Sequence, residues 1–115
     1  MIEGIDTYDL LQDGVWAVDH LVTGAQKVVL ANGCFDILHR GHIEHLLHAS
    51  YMGDRLIVSL TMDEHVNKGP GRPVNPWGDR AFMLYQLPYV DEVIATPCAS
   101  AAIRLVKPSI FVKGI

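Results

Sequence analysis

The chain has 115 residues, of which 50% are hydrophobic and 19% charged, with a formal net charge of -4 at pH 7. A chain of this size holds one domain around a single core, and its acidic balance excludes a broad nucleic-acid surface, so any anion site must be local. No apolar run approaches the roughly 18 residues that a membrane span needs, and two cysteines without a signal-peptide pattern point to a reduced, cytoplasmic chain rather than a disulfide framework.

Taken in order, the first expected element is a helix over about Thr7 to Thr23. Leu11, Val15, Val18 and Val22 fall on one stripe at helical spacing, and Gly24 offers a stop. The stripe reads as core or as a subunit contact, which leaves room for a homodimer. Lys27 to Ala31 is a short apolar run of the kind found in a buried parallel strand. A loop follows over Asn32 to Arg40, then a helix from about Gly41 to Met52, closed by Gly53-Asp54. Arg55 to Leu60 is a second strand. Asn67 to Pro76 carries three prolines and two glycines and reads as a loop. Pro76 can open the next helix, where a missing N–H is harmless. Glu92 to Ala95 is a third strand, Ala99 to Val106 a helix stopped by Pro108, and Ile110 to Val112 a fourth strand. Alternating strands and helices predict an α/β domain of Rossmann-like type, a parallel sheet with helices on both faces. Ligands of such sheets sit outside the carboxyl ends of the strands, so the loops after Ala31, Leu60 and Val112 are the places to look.

The loop after the first of these strands reads Gly33-Cys34-Phe35-Asp36-Ile37-Leu38-His39-Arg40-Gly41-His42. Gly33 permits a tight turn and close approach to a ligand. Gly41 opens a helix, whose N-terminus presents free N–H groups and partial positive charge to a phosphate. His39 and His42 lie three apart around that terminus, where imidazole donors can stabilise charge developing on a triphosphate. Four histidines recur here at intervals of three: His39, His42, His45 and His48. At about 100° per residue the first and last face opposite ways, and no pair has the four-residue spacing of a metalloprotease helix, so a metal site is not expected. Cys34 has no base assigned to it, Asp36 can equally order its loop by accepting backbone N–H groups, and Trp16 and Trp77 read as packing residues.

The pattern Gly-x-Phe-Asp-x-x-His-x-Gly-His resembles the signature of the cytidylyltransferase-like nucleotidyltransferases, most of all the adenylyltransferase domains of ADP-heptose synthases. Gly53 to Val58, Lys68 to Pro76 with Arg80, and Val112-Lys113-Gly114 match as well, so the resemblance runs from about Lys27 to Gly114. It implies transfer of a nucleotidyl group from an NTP, with ATP first, to a phosphorylated acceptor such as heptose 1-phosphate, releasing pyrophosphate. The alternatives are a cytidylyltransferase acting on glycerol 3-phosphate or a similar alcohol phosphate, and a catalytically weak nucleotide-binding module. The resemblance further implies that His39 and His42 contact the triphosphate, that Gly33, Cys34, Phe35, Asp36 and Gly41 shape the nucleotide site, that Lys68 and Arg72 bind the acceptor, and that Arg80 adds a cation to the phosphate cluster. Lys68 counts with the two histidines as catalytic. Mg²⁺ is implied on the triphosphate rather than in a protein cage. The family's Gly-Asp-Tyr stretch and later Ser/Thr-rich segment do not follow Lys113-Gly114, so the chain reads as one domain over 1–115 that lacks the family's C-terminal part.

Overall fold

The computed structural model describes residues 8–12, 14–18 and 26–113. Six strands form one sheet: β1 (Tyr8–Gln12), β2 (Val15–Val18), β3 (Val28–Gly33), β4 (Arg55–Thr61), β5 (Glu92–Thr96) and β6 (Ile110–Val112). Their order is β1-β2-β6-β3-β4-β5. The helices are α1 (Arg40–Ser50), α2 (Trp77–Tyr85) and α3 (Ala99–Val106), with a short 3₁₀ turn at Asp63–His65. No described helix is long and apolar enough to cross a membrane.

The four strands β6, β3, β4 and β5 run parallel, as alternating strands and helices predict. The side-chain period of two sends β3 residues to opposite faces. Val29 and Ala31 join a cluster with Leu46 and Ala49 of α1 and with Ala81 and Leu84 of α2. Leu30, on the other face, packs with Ala102 and Ile103 of α3. The chain steps from β3 to β4 to β5 along one side, then returns to place β6 on the other side of β3. β3 is therefore the strand where the order reverses. Its carboxyl end is the position at which open α/β sheets hold ligands.

The expected N-terminal helix is not formed. β1 and β2 are antiparallel strands in its place, with Tyr8 opposite Val18 and Leu10 opposite Trp16, and an irregularity between Leu10 and Gln12. At the turn between them Gly14 adopts a positive φ of 76°, the conformation that tight hairpin turns require. β2 then pairs antiparallel with β6, Val15 opposite Val112 and Ala17 opposite Ile110. Backbone pairing along the exposed edge of β6 outweighs the weak helical periodicity of the segment. Residues 1–7, 13 and 19–25, which the expected helix also included in part, lie outside the described residues.

Leu46 is completely buried between α1 and the sheet, whereas Leu105 on α3 is 70% exposed. Leu46→Ala should lower unfolding free energy by about 2–5 kcal/mol, the range for removing a buried leucine. Leu105→Ala should change it by less than about 0.5 kcal/mol. Urea denaturation of the two variants checks the contrast.

Candidate active site

The site grows from the turn between β3 and α1. His39 is the N-cap of α1, in extended backbone, and its Nδ1 accepts the Gly41 N–H at 3.0 Å. His42, three residues on, returns the favour: its Nδ1 accepts the His39 N–H at 3.3 Å. This is the reciprocal geometry of a capping box, built from two imidazoles instead of a hydroxyl and a carboxylate. The rings stack with centroids 3.8 Å apart, and the edge of Phe35 meets His42. A backbone N–H can only donate, so each Nδ1 must carry a lone pair, and each neutral ring keeps its proton on Nε2. The helix cap thereby selects the tautomer.

Burial pushes the His42 imidazole below its ordinary value of 6.5, and electrostatic repulsion from the His39, Lys68 and His45 side chains pushes the same way, against a hydrogen bond with the Ile37 backbone. His42 is therefore neutral at pH 7. Both glycines of the motif serve these rings. A Cβ on Gly41 would lie 2.9 Å from the His39 ring, and one on Gly33 would lie 2.8 Å from the Phe35 ring. Phe35 itself holds a left-handed φ of 45°, which folds its ring back over Gly33.

A second loop, 67–76, closes over the first. Asp36 is buried, and its carboxylate accepts from Arg72 Nε at 2.6 Å, the Val74 N–H at 2.8 Å and the Asn75 N–H at 2.9 Å. The Asn75 amide donates in turn to the Asp36 carbonyl. Burial by itself would raise the Asp36 pKa; the Asn75 and Val74 N–H groups and the Arg72 guanidinium outweigh it and hold the value at about 2, against 3.8 for a free side chain. Between the loops lies a cavity of about 280 Å³ bordered by Phe35, Asp36, Ile37, His39, His42, Lys68 and Arg72. Of its two cations, Arg72 is paired with Asp36, and Lys68 forms no salt bridge among the described residues.

Arg80 departs from the expected role. It is 1% exposed and does not border this cavity. Its guanidinium donates to the carbonyls of Asn75 and Cys34 and to the Asp63 carboxylate. It ties the β3 loop, the turn after β4 and the second loop together. Gly33, Cys34 and Gly41 likewise support the cavity without bordering it: Cys34 contributes its carbonyl to Arg80. Sequence reasoning missed Ile37, which borders the cavity, and Asp63, the partner of Arg80. Asp63 lies in an acidic turn with no local feature that marks it as a loop anchor. Asn75 was visible within the matching Lys68 to Pro76 stretch but carried no assigned role.

With this geometry in view, the relatives can be placed. The cytidylyltransferase-like family pattern matches residues 30–114, and the chain belongs to that family of nucleotidyltransferases. The bifunctional protein HldE of Vibrio atlanticus (strain LGP32) is 48% identical over 104 residues, covering 87% of this chain and 22% of that protein. The protein of the same name from Vibrio parahaemolyticus serotype O3:K6 is 50% identical over 93 residues, 77% of this chain and 20% of that one. The chain thus spans about a fifth of the length of these relatives. A solved lipopolysaccharide core biosynthesis protein from Thermoplasma volcanium GSS1 superposes with a TM-score of 0.66 at 30% identity, over 73% of this chain and 70% of that one.

Asp36 gives a pH signature. Its folded-state pKa lies below that of the unfolded chain, so the stability it contributes is full above about pH 4 and is lost as the pH falls toward 2. Asp36→Asn should be destabilised by about 1–3 kcal/mol at pH 6, and the gap to the wild type should close between about pH 4 and 2. Denaturant titrations across that range decide it; a gap independent of pH would mean that the ionised carboxylate is not the anchor.

Proposed function

We propose that the chain is the nucleotidyltransferase part of an enzyme that joins ATP to a sugar 1-phosphate of the heptose type. An oxygen of the acceptor's phosphate attacks the α-phosphorus of ATP. The bond from that phosphorus to the bridging α,β-oxygen breaks, and pyrophosphate leaves with its electron pair. The products are an ADP-sugar and pyrophosphate. The observation that carries this reading is the pair of capped imidazoles at the N-terminus of α1, each keeping an Nε2–H donor, beside a cavity that also holds Lys68. The preference for a sugar acceptor rests on the resemblance of the motifs, and the naming of the Thermoplasma protein for lipopolysaccharide core biosynthesis is in keeping with it.

No nucleophile on the protein is needed, because the acceptor attacks directly. The protein's part is orientation and charge stabilisation, as in other phosphoryl transfers. Holding two reactants in line can supply roughly 7–11 kcal/mol of the barrier reduction. His39 and His42 would donate to the triphosphate oxygens as charge shifts toward the leaving pyrophosphate. Lys68 would meet the acceptor phosphate and offset its repulsion from the triphosphate. The cavity suits Mg²⁺ only as a passenger of the nucleotide. Its one carboxylate, Asp36, is engaged by Arg72, Val74 and Asn75, and its other side-chain polar groups are imidazoles and cations. A divalent ion bound with the triphosphate would neutralise phosphate charge, held by phosphate and water.

The test is a pyrophosphate-release assay of the full-length protein, with ATP and CTP each paired with heptose 1-phosphate and with glycerol 3-phosphate. Turnover is expected with ATP and the sugar phosphate; turnover only with CTP would reassign the nucleotide. His42→Ala should lower kcat by about 10²–10³ with a smaller change in nucleotide affinity. The exposed His48 is the control position, and His48→Ala should leave kcat within about twofold.

Lys68→Ala tests the division of labour between the two loops. It should raise the acceptor's KM or lower kcat while calorimetric binding of ATP stays close to wild type. Loss of ATP binding with acceptor dependence intact would move Lys68 to the triphosphate.

A further inference from the structure

A second, larger cavity of about 420 Å³ opens between the β3 loop and the outer side of α2. It shares Phe35, Asp36 and Ile37 with the phosphate cavity, so the two are contiguous around one short stretch of backbone. Its volume is that of a small-molecule site. We propose that this cleft holds the body of the acceptor, a neutral polyhydroxylated ring whose phosphate reaches into the neighbouring cavity beside Lys68. The proposal rests on the nucleotidyltransferase reading and adds to it where, and by what chemistry, the acceptor is recognised.

Charge comes first. Arg80 borders the cleft, but it is buried, its charge is compensated by Asp63, and its Nε, Nη1 and Nη2 each already donate, to Asn75, Cys34 and Asp63. Asp79 contributes an exposed carboxylate with no hydrogen bond or ion pair among the described residues. A phosphate placed here would meet a like charge and no available cation. The phosphate-bearing ends of both reactants are thus directed to the other cavity.

Hydrogen-bonding sense narrows the ligand further. Asp79 presents acceptor oxygens only, and Asn75 offers its Oδ1 together with the second N–H of the amide that bonds the Asp36 carbonyl. A carboxylate beside an amide suits hydroxyl groups, which donate to the one and can donate to or accept from the other. The opposite requirement is apolar: Phe82 is 64% exposed, with Met83 and Ile37 beside it. A sugar ring has both characters, an apolar C–H face for Phe82 and hydroxyls at its rim. A cationic head group would need several aromatic faces, and Phe35, the other aromatic residue bordering the cleft, is buried.

The measurement is the steady-state kinetics of Phe82→Ala, Asp79→Ala and Asp79→Asn in the full-length protein, with both substrates varied and oligomeric state followed by light scattering. Both side chains are exposed, so the fold should tolerate all three changes. Phe82→Ala and Asp79→Ala should each raise the sugar phosphate's KM by roughly tenfold, with the KM for ATP within about twofold. Asp79→Asn keeps an acceptor oxygen and should recover most of the loss. An unchanged acceptor KM overturns the proposal, and if the subunit association changes instead, the cleft is a contact between copies. A raised KM for ATP alone would place the base here. A wild-type protein that releases no pyrophosphate with any acceptor sinks the function and the subsite together; wild-type turnover with indifferent variants sinks the subsite alone.

Discussion

The site depends on two buried charges that bind its two loops together. Asp36, in the loop after β3, gathers Arg72 and the backbone of Val74 and Asn75; Arg80, on α2, gathers the carbonyls of Cys34 and Asn75 and the carboxylate of Asp63. One works from the first loop toward the second, the other from beneath both. Left unpaired, either charge would be strongly destabilising inside the protein. Each loop is thereby obliged to adopt the geometry that completes the other's hydrogen bonds. Lys68 lies only a few residues from Arg72 along the second loop, so the same constraint brings the loop that carries it over the histidines.

The histidine pair shows how a structural need can produce a chemical group. A helix N-terminus leaves N–H groups without partners, and α1 satisfies some of its own with imidazole Nδ1 atoms. That choice fixes where the protons sit. Were either ring protonated on Nδ1, its part of the cap would be lost, so the capping geometry calls for the tautomer that donates through Nε2. Burial and the neighbouring positive charges reinforce the preference at His42. The remaining free N–H groups and the helix dipole then act in the same direction as the two rings.

The parallel part of the fold was legible because its signals are local and redundant. Apolar runs such as Val28 to Ala31 and Leu56 to Leu60, alternating with helices stopped by glycine or proline, admit few other arrangements. The N-terminal hairpin was not legible. Leu11, Val15 and Val18 satisfy a helical stripe, while strand pairing depends on an exposed edge of β6 almost a hundred residues away in sequence. Within the site, the motif announced the histidines, since an N-cap and its third residue are neighbours in sequence. The anchoring by Arg80 was hidden for the converse reason. A cation near the start of a helix looks like a phosphate ligand, and two of the partners it holds, Cys34 and Asp63, are 46 and 17 residues distant.

These pairings bear on how an acidic chain can hold a polyanion. Of the three cations that the sequence places around the site, Arg72 is compensated by Asp36 and Arg80 by Asp63. Lys68 alone of the three brings positive charge without a salt-bridge partner among the described residues, and the two histidines contribute as hydrogen-bond donors. On the proposed reading, the site's attraction for a triphosphate would be chiefly directional, a set of N–H groups from a helix terminus and two rings, with little net charge behind it. Directional donors of this kind favour the arrangement in which charge has moved to particular oxygens, and add less to the binding of the ground state. Most of the triphosphate's own charge would then be offset by something that arrives with it. A divalent cation carried on the nucleotide would meet that requirement without diverting Asp36 from Arg72, Val74 and Asn75, the partners through which it joins the two loops.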